Sequence, residues 1–425
     1  MLRESTEMDH RFTRRDLLAK GTQWTGASLF AGVAEKAFAA LSPTSLGSPP
    51  NVLFGRQIRT SSSLPTDAHG MIVYSEEYLT REMPVSLLDD WITPTEHFFV
   101  RNNQHMPQIN PADWKLSISG EVARPQTLTL GELLKIEPRR VTNTLECAGN
   151  GRAFFQPRIP GVPWTRGGVG NAEFRGPSLG ALLRQAGAKT TARHVAFRGA
   201  PLRSSDPPFM RSIPMDKALD PDTIVVTEMN GSPLTPEHGY PARALVPGWI
   251  GSASIKWLTE VRVLTHQFEG YFMDSAYRLP AHSGEADGAN ASSPAKGERG
   301  SVITSLPIKS IIAAPEDGSH IDSNAPVRIF GAAWAGTSTV ARVEISTDAG
   351  QSWQLAALGS ERARYAWRFW NFEWYPREEG TYVILSRATD SRRRSQPLEM
   401  VWNPGGYLWN AADRVRVTVG IRAVR

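Results

Sequence analysis

The stretch NTLECAGNGR, residues 143–152, contains the only cysteine of this 425-residue chain, Cys147. Val141 to Leu145 have the pattern of a β-strand, and the Gly and Asn residues after Cys147 predict a turn. A lone thiol there is a buried apolar side chain, a nucleophile that needs a histidine base, or a metal ligand. One thiolate cannot hold zinc alone, but a metal chelated by an organic cofactor needs only one. The spacing alone leaves all three interpretations open.

The composition is that of a globular protein, with 40% hydrophobic and 9% aromatic residues. The length allows two or three domains with their own cores. A net charge of +5 suits an anionic ligand, but the basic residues are scattered, so we expect no nucleic acid binding. No run of about 18 apolar residues occurs, so we expect no stable membrane insertion.

The N-terminus has the pattern of an export signal. Arg14 and Arg15 form a twin-arginine motif, a weakly apolar stretch spans residues 21–34, and Ala37-Phe38-Ala39 offers a cleavage site. The alternative is an amphipathic helix that begins with two arginines. We expect a twin-arginine signal peptide over residues 1–40 and a mature protein in the periplasm, where a free thiol has to be buried or ligated.

After an irregular arm at residues 41–85, residues 86–295 combine strands with short helices. Residues 115–122 alternate like a half-buried strand. Thr129 to Glu132 form a capping box for one helix, and a second helix begins at Ser178 and ends at Gly187. Short helices among irregularly spaced strands predict a mixed α+β domain.

A Gly-, Ala- and Ser-rich segment at residues 281–301 predicts a linker, and only strand patterns follow it. These strand-like runs, separated by turns, are Val327–Gly331, Val343–Ser346, Arg364–Trp374 and Tyr382–Ala388. We therefore expect an immunoglobulin-like β-sandwich at residues 300–425.

Several motifs, in order along the chain, resemble those of the sulfite oxidase family of molybdenum enzymes. One is the cysteine motif CAGNGR at residues 147–152. The others are FFVRN at 98–102, HGYPAR with VPGWIGSASIKWL at 238–258, EGYFMDSAYR at 269–278, and C-terminal motifs that include WNPGGYLWN at 402–410. The resemblance implies a molybdopterin-binding catalytic domain at 86–295 and a dimerisation domain at 300–425.

The resemblance also implies a molybdenum ion held by the dithiolene of a pyranopterin and by the thiolate of Cys147. Cationic side chains suit the pterin phosphate, and an arginine fork can bind it with two hydrogen bonds. Taken singly, each such residue has an ordinary structural role as its alternative. The cofactor contacts that the resemblance assigns are Phe99, Arg101, Asn102, Asp206, His238, Arg243, Ser254, Ile255 and Lys256.

The same resemblance implies a substrate pocket of Arg101, Arg152 and Tyr277 beside the metal at Cys147, with Trp164 as a wall. Two guanidinium groups attract an oxyanion, and Tyr277 would hydrogen-bond it. We expect a homodimer that oxidises sulfite to sulfate by oxygen-atom transfer and passes electrons to an external cytochrome c. No CxxCH motif occurs in the sequence, so we expect no haem on this chain.

Three departures from the family pattern concern the substrate. Gly151 replaces the first of two arginines in the cysteine motif, and either Asn103 or His105 takes the place of an upstream histidine. Gly405 replaces the arginine that completes the family's anion pocket. Losing that charged hydrogen bond predicts weak, salt-sensitive sulfite binding. Gly405→Arg would tighten it if the backbone accommodates a side chain there.

Other activities stay open. A sulfane dehydrogenase, which acts on sulfur carried by a protein, resembles this family and also lacks the arginine at Gly405, but tends to lack the equivalents of Arg152 and Tyr277. Methionine sulfoxide reductases lack the C-terminal β-domain, and nitrate reductases carry extra haem and flavin domains. A non-catalytic exported β-rich binding protein would explain the sandwich but not the motifs. Sulfite is therefore the first expectation and carrier-bound sulfur the second.

Overall fold

The structure is a computed structural model that describes residues 64–201, 209–280, 300–322 and 325–420. The strands, helices and cavity below all belong to one compact unit, which takes in the described residues of 58–159 and 163–425. The predicted signal peptide, Asp206 and most of the predicted linker lie outside the described residues.

The N-terminal part combines sheets with short helices, as the sequence predicts. Its described helices are α1 (Leu130–Leu134), α2 (Leu179–Ala186), α3 (Met215–Ala218) and α4 (Tyr271–Asp274). Its described strands are β1 (Ile72–Ser75), β2 (Thr80–Glu82), β3 (Lys115–Gly120), β4 (Gln126–Thr129), β5 (Pro138–Glu146), β6 (Val169–Pro177), β7 (His194–Gly199), β8 (Met210–Pro214), β9 (Ile224–Val226), β10 (Glu228–Met229), β11 (Ser232–Pro233), β12 (Arg243–Leu245), β13 (Leu258–Leu264) and β14 (Arg278–Leu279).

A mixed five-stranded sheet in the order β4-β3-β13-β7-β8 supports this part of the chain. In β3, Leu116 and Ile118 are buried and Lys115 is exposed, as the alternating pattern predicts. Helix α1 has the predicted capping box at Thr129, and α2 ends at Gly187, whose φ of +70° favours glycine. The apolar face of α2 packs into the same core as the sheet.

A four-stranded antiparallel sheet in the order β11-β10-β6-β5 holds the cysteine motif. Strand β5 pairs with β6 from Pro138 opposite Pro177 to Glu146 opposite Val169. It is longer than the predicted strand because this pairing continues beyond the apolar residues at both ends. Cys147 directly follows its last residue, so a long paired strand positions the thiol.

The C-terminal part is a β-sandwich, as predicted. Its sheets have the orders β16-β18-β22-β21 and β17-β24-β23-β19-β20, and residues of both, among them Trp370 and Ile384, form one apolar core. Its described strands are β15 (Ser301–Val302), β16 (Lys309–Ala314), β17 (His320–Ile321), β18 (Val327–Trp334), β19 (Val340–Ser346), β20 (Gln354–Leu355), β21 (Ala357–Leu358), β22 (Arg368–Trp374), β23 (Gly380–Asp390) and β24 (Asp413–Val419).

One predicted strand begins too early. β22 begins at Arg368 and not at Arg364. The preceding residues hydrogen-bond to β5 instead, because the Thr144 N–H donates to the Tyr365 carbonyl at 2.9 Å and the Trp367 N–H donates to the Thr144 hydroxyl at 2.7 Å. This segment therefore joins the sandwich to the strand that carries Cys147.

The prediction of an irregular arm is wrong for residues 64–85, the part of the arm that the structure describes. β1 and β2 form an antiparallel hairpin, and Met71 and Met83 are buried. The buried Glu82 carboxylate accepts hydrogen bonds from the backbone of Thr165 and Gly167. Strands of three and four residues are too short for a periodicity to reveal. No helix in the described part of the chain is long and apolar enough to cross a membrane.

Candidate functional site

One cavity, partly open to solvent, gathers most of the predicted site residues. Tyr277 and Cys147 line it, and so does every predicted cofactor contact that lies among the described residues. Those contacts are Phe99, Arg101, Asn102, His238, Arg243, Ser254, Ile255 and Lys256. The motifs that are far apart in sequence therefore meet at one place.

The Cys147 thiol lies in a tight turn. The Cys147 N–H donates to Gly168 and its carbonyl accepts from the Asn150 N–H, both at 2.9 Å. Burial raises the pKa of the thiol, while the charge of Arg152, the N–H of Gly149 and the charge of Arg101 lower it in part. A thiolate is the form that binds a metal. The groups that oppose the burial effect are those that stabilise a thiolate.

Cations form one wall of the cavity. Arg101, Arg243 and Lys256 line it, and no carboxylate does among the described residues. Burial lowers the pKa of Arg243 to about 10, and burial with the charges of Arg243 and Arg101 lowers the pKa of Lys256 well below its ordinary value. Because these cations repel one another, an anion bound between them would be stabilised.

His238 is a neutral side chain in this wall. Burial and the charges of Lys256 and Arg243 lower its pKa to about 3. Its Nε2 lies 3.2 Å from the Thr95 carbonyl, which only accepts, so Nε2 carries the proton. The adjacent Lys256 ammonium donates to the Asn102 side chain and to the Glu237 carbonyl, which fixes its position.

Other predicted contacts shape the cavity by their backbone or rings. The Ser254 hydroxyl accepts from the Val246 N–H at 3.0 Å, so it holds the loop. Phe99 packs edge-on against Trp164, with ring centroids 6.1 Å apart. The prediction that Trp164 is a pocket wall is wrong, because Trp164 is not among the residues that line the cavity and packs behind Phe99 instead.

Arg152 does not line the cavity. Its Nη2 and Nε donate to the Gly405 carbonyl at 3.0 and 3.3 Å. Its guanidinium packs on Gly149 so closely that a Cβ there would lie 2.5 Å from Nη2. Arg152 therefore lies behind the cysteine turn, where its charge acts on Cys147 from outside the cavity wall.

The structure distinguishes between Asn103 and His105. Asn103 lines the cavity, and its Nδ2 donates to the Tyr277 hydroxyl at 3.2 Å. His105 lies 3.6 Å from Glu77 and contacts Tyr78 instead. Asn103 is thus the residue that faces the site.

Sequence reasoning missed two aromatic residues. A Cβ on Gly405 would lie 2.3 Å from the Tyr407 ring, and a Cβ on Gly151 would lie 2.6 Å from the Trp409 ring. The two glycines that replace family arginines are therefore each covered by an aromatic ring from the same loop. Both rings belong to the quoted motif WNPGGYLWN, but no local pattern says which distant residue each one covers.

The residues present fit a molybdenum pyranopterin. The cofactor's phosphate and dithiolene are anionic, and the cavity offers cations without carboxylates. The Arg243 Nε and the Ser252 hydroxyl are buried and have no hydrogen-bond partner among the described residues. The Cys147 thiol supplies one metal ligand. The cavity combines cations with a single thiol, and it lies in a chain whose α+β part is followed by a β-sandwich. These features are those of a protein that binds an anionic cofactor.

Comparisons with known proteins give the family. Residues 103–272 match an oxidoreductase molybdopterin binding domain, and residues 300–420 match a Mo-co oxidoreductase dimerisation domain. The sulfite oxidase of Gallus gallus is 32% identical over 363 residues, which cover 81% of this chain and 77% of that protein. The chain belongs to the sulfite oxidase family of molybdopterin oxidoreductases, which confirms the resemblance and the predicted fold class.

Two further similar proteins are named for different activities, one as a sulfite oxidase and one as a sulfane dehydrogenase. The mitochondrial sulfite oxidase of Drosophila melanogaster is 33% identical over 365 residues, which cover 81% of this chain. The chain spans 62% of that protein's length, less than two thirds. The crystal structure of the sulfane dehydrogenase SoxCD from Paracoccus pantotrophus matches with a TM-score of 0.70 and 25% identity, covering 89% of this chain and 95% of that chain.

Proposed function

We propose that this protein binds a molybdenum pyranopterin and oxidises sulfite to sulfate, with electrons leaving to an external cytochrome c. The observation that carries the proposal is the meeting of Cys147, Arg101 and Tyr277 in one cavity whose lining, among the described residues, has cations and no carboxylate. Membership of the sulfite oxidase family supports it. The domain limits at residues 86–295 and 300–425 stay predictions.

The chain's own residues divide the work. When bound, the cofactor supplies the transferable oxygen atom and accepts two electrons. Lys256 and Arg243 bind the anionic end of the pterin, and the Cys147 thiolate is the protein ligand of the metal. Arg101 attracts the oxyanion substrate, since it is a cation in the cavity wall beside Cys147.

Asn103 determines the direction of the Tyr277 hydrogen bond. Because the Asn103 amide donates to the Tyr277 oxygen, the phenol proton is free to donate elsewhere. An oxyanion in the cavity is the natural acceptor. Tyr277 therefore orients the substrate as a neutral donor, while Arg101 supplies the charge.

Steady-state kinetics with molybdenum-loaded protein and cytochrome c test this proposal. We expect turnover of sulfite in preference to thiosulfate or a sulfur-carrying peptide. Tyr277→Phe removes one hydrogen bond to a charged substrate and should lower kcat/KM by about 10- to 100-fold. Tyr271→Phe, at an exposed tyrosine of α4, is the matched control and should leave kcat/KM unchanged.

The second candidate is oxidation of sulfur carried by a protein, and the covered site at Gly405 favours it. Tyr407 fills the space there with an aromatic ring, so the site has fewer cations for a free dianion than the family pattern supplies. The sulfane dehydrogenase structure shares the fold. Turnover of the sulfur-carrying peptide without turnover of sulfite would select this candidate.

A homodimer in the periplasm completes the proposal. The C-terminal match to a dimerisation domain supports the dimer. Trp367 and Trp370 fill the interior and are not available to a partner, whereas Leu355 and Tyr375 are exposed. Light scattering of the full mature chain at micromolar concentration should give the mass of a dimer, and the mass of a monomer would contradict it.

A further inference from the structure

Arg211, in β8, is a buried cation to which the proposed reaction assigns no role. It is 1% exposed, and within the described part of the chain it forms no ion pair with a carboxylate. Its Nη1 donates to the Phe272 carbonyl at 2.5 Å and its Nη2 to the Ile303 carbonyl at 3.1 Å. Its Nε has no partner among the described residues. Two neutral acceptors do not replace the water that a buried guanidinium loses.

The Arg211 guanidinium also contacts the ring of Tyr277, the tyrosine of the proposed site. The guanidinium carbon lies 5.0 Å from the centre of the Tyr277 ring, which is cation–π distance. Burial lowers the pKa of Arg211 to about 10, so the group is still charged at neutral pH. A cation next to a phenol ring makes its hydroxyl a stronger hydrogen-bond donor.

Tyr277 needs such support because its backbone is held in an unfavourable conformation. Its φ is +54°, a region that residues other than glycine seldom adopt. Its carbonyl accepts from the Ile303 N–H at 2.9 Å, and its ring stacks on Tyr407 with centroids 5.5 Å apart. Arg211 binds two carbonyls on either side of Tyr277 in the chain. One belongs to Phe272 in α4, and the other belongs to Ile303, whose N–H donates to the Tyr277 carbonyl.

We propose that Arg211 is a positioning residue that holds Tyr277 in its oxyanion-binding orientation and whose buried charge strengthens the hydrogen bond that Tyr277 donates. The inference rests on the proposed function in one respect, namely that the anion is sulfite or its product sulfate. Arg211 does not line the cavity, so it acts through Tyr277 and does not touch the substrate.

Sulfate binding to the molybdenum-loaded protein, measured by calorimetry, tests this role without requiring turnover. Arg211→Met should weaken sulfate binding by about tenfold, the size of a desolvated cation–π contact. Arg211→Lys keeps the charge and should stay within about threefold of wild type. If Arg211 only bound the two carbonyls, lysine could not replace it, because lysine cannot donate to both carbonyls as the guanidinium does. Both variants would then lose thermal stability alike, and Arg211→Lys would bind sulfate as weakly as Arg211→Met.

A double-mutant cycle with Tyr277→Phe shows whether Arg211 acts through the tyrosine. The Arg211→Met change should have little further effect on sulfate affinity once the Tyr277 hydroxyl is gone. Additive losses would overturn the inference, as would unchanged sulfate affinity in Arg211→Met or no sulfate binding by wild type. If Arg211→Met does not fold, Arg211→Gln, which keeps one amide donor, replaces it in the cycle with the same expected outcomes.

The two proposals fail separately. Sulfate binding that depends on Arg211, in a protein that turns over no sulfite, would sink the proposed function and leave this inference standing. Sulfite turnover with the same KM and kcat in wild type and Arg211→Met would sink this inference alone. In the expected result, Arg211→Met raises the KM for sulfite more than it lowers kcat.

Discussion

Lys309 and Lys256 both lie near the cysteine motif, but they are held in contrasting ways. The Lys309 ammonium lies 2.7 Å from the Glu146 carboxylate, and both side chains are almost completely buried. Lys256 lines the cavity together with Arg101 and Arg243. Among the described residues, no carboxylate lines this cavity. A buried charge with its counter-charge belongs to the scaffold, whereas cations that line a cavity without a carboxylate indicate where an anionic ligand binds.

The Glu146 pair joins the sandwich to the turn that carries Cys147. Glu146 also accepts hydrogen bonds from the Trp334 indole at 2.8 Å and the Asn150 amide at 2.9 Å. Lys309 and Trp334 belong to the C-terminal strands β16 and β18, while Glu146 and Asn150 flank Cys147. The C-terminal part of the chain therefore takes part in holding the thiol in place.

The largest expected effect is on the paired side. Lys309→Met leaves Glu146 buried without its counter-charge and should lower the free energy of unfolding by about 3–5 kcal/mol. Urea unfolding of the cofactor-free protein measures this. Lys115→Met, at an exposed lysine of β3, is the matched control and should stay within about 0.5 kcal/mol of wild type. Equal stability of the Lys309 and Lys115 variants would contradict the scaffold role.

Adding a cation at Gly405 should fail for a steric reason. Gly405→Arg was expected to tighten sulfite binding, but its Cβ would overlap the Tyr407 ring. We now expect the single variant to lose about 1–3 kcal/mol of stability without a lower KM. The double variant Gly405→Arg/Tyr407→Ala should lower the KM for sulfite relative to Tyr407→Ala alone. A lower KM in the single variant would show that Tyr407 moves aside.

A third prediction concerns the neutral histidine on the cavity side. Its pKa is lowered from 6.5 to about 3, so the unfolded chain takes up the proton first as the pH falls. The stability that His238 contributes is present above pH 6.5 and is lost as the pH falls towards about 3, by at most about 1.4 kcal/mol per pH unit.

Unfolding of the cofactor-free protein at several values between pH 7 and pH 5 checks this slope. His238→Gln should flatten it, and His69→Gln, at an exposed histidine, should keep the wild-type slope. Identical slopes in wild type and His238→Gln would mean that other groups cause the acid sensitivity.

The smallest effect on stability should follow Lys256, which forms no ion pair within the part of the chain that the structure describes. Lys256→Met removes a cation that its neighbours repel, but it also removes two hydrogen bonds, so the cofactor-free protein should change by less than about 1 kcal/mol. The molybdenum content of purified protein should nevertheless fall, because an anion contact is lost. A large loss of stability with full molybdenum content would reverse the roles of the two lysines.

Local pattern predicted part of this fold well. The alternation in β3, the capping box at Thr129 and the glycine cap at Gly187 are encoded by neighbours in sequence, and the structure shows each of them. The motif resemblance named residues from distant segments that the structure brings into one cavity with Cys147, although Arg152 does not line it. Of that predicted set, only Asp206 lies outside the described residues.

What the sequence could not predict depends on contacts between distant residues. Arg152 donates to Gly405, which is 253 positions away, so its motif gave no sign that it lies behind the cysteine turn. The stacking of Tyr407 on Tyr277 and the contact of Arg211 with the same ring arise only in the folded chain. Neither periodicity nor spacing records which ring fills the space beside a glycine.

The most direct test of the central claim, that Cys147 ligates a molybdenum ion held in the cation-lined cavity, is the optical spectrum of Cys147→Ser beside that of wild type. The account predicts a folded variant that loses the thiolate-to-metal charge-transfer absorption and nearly all turnover. An unchanged absorption together with full turnover in Cys147→Ser would contradict it.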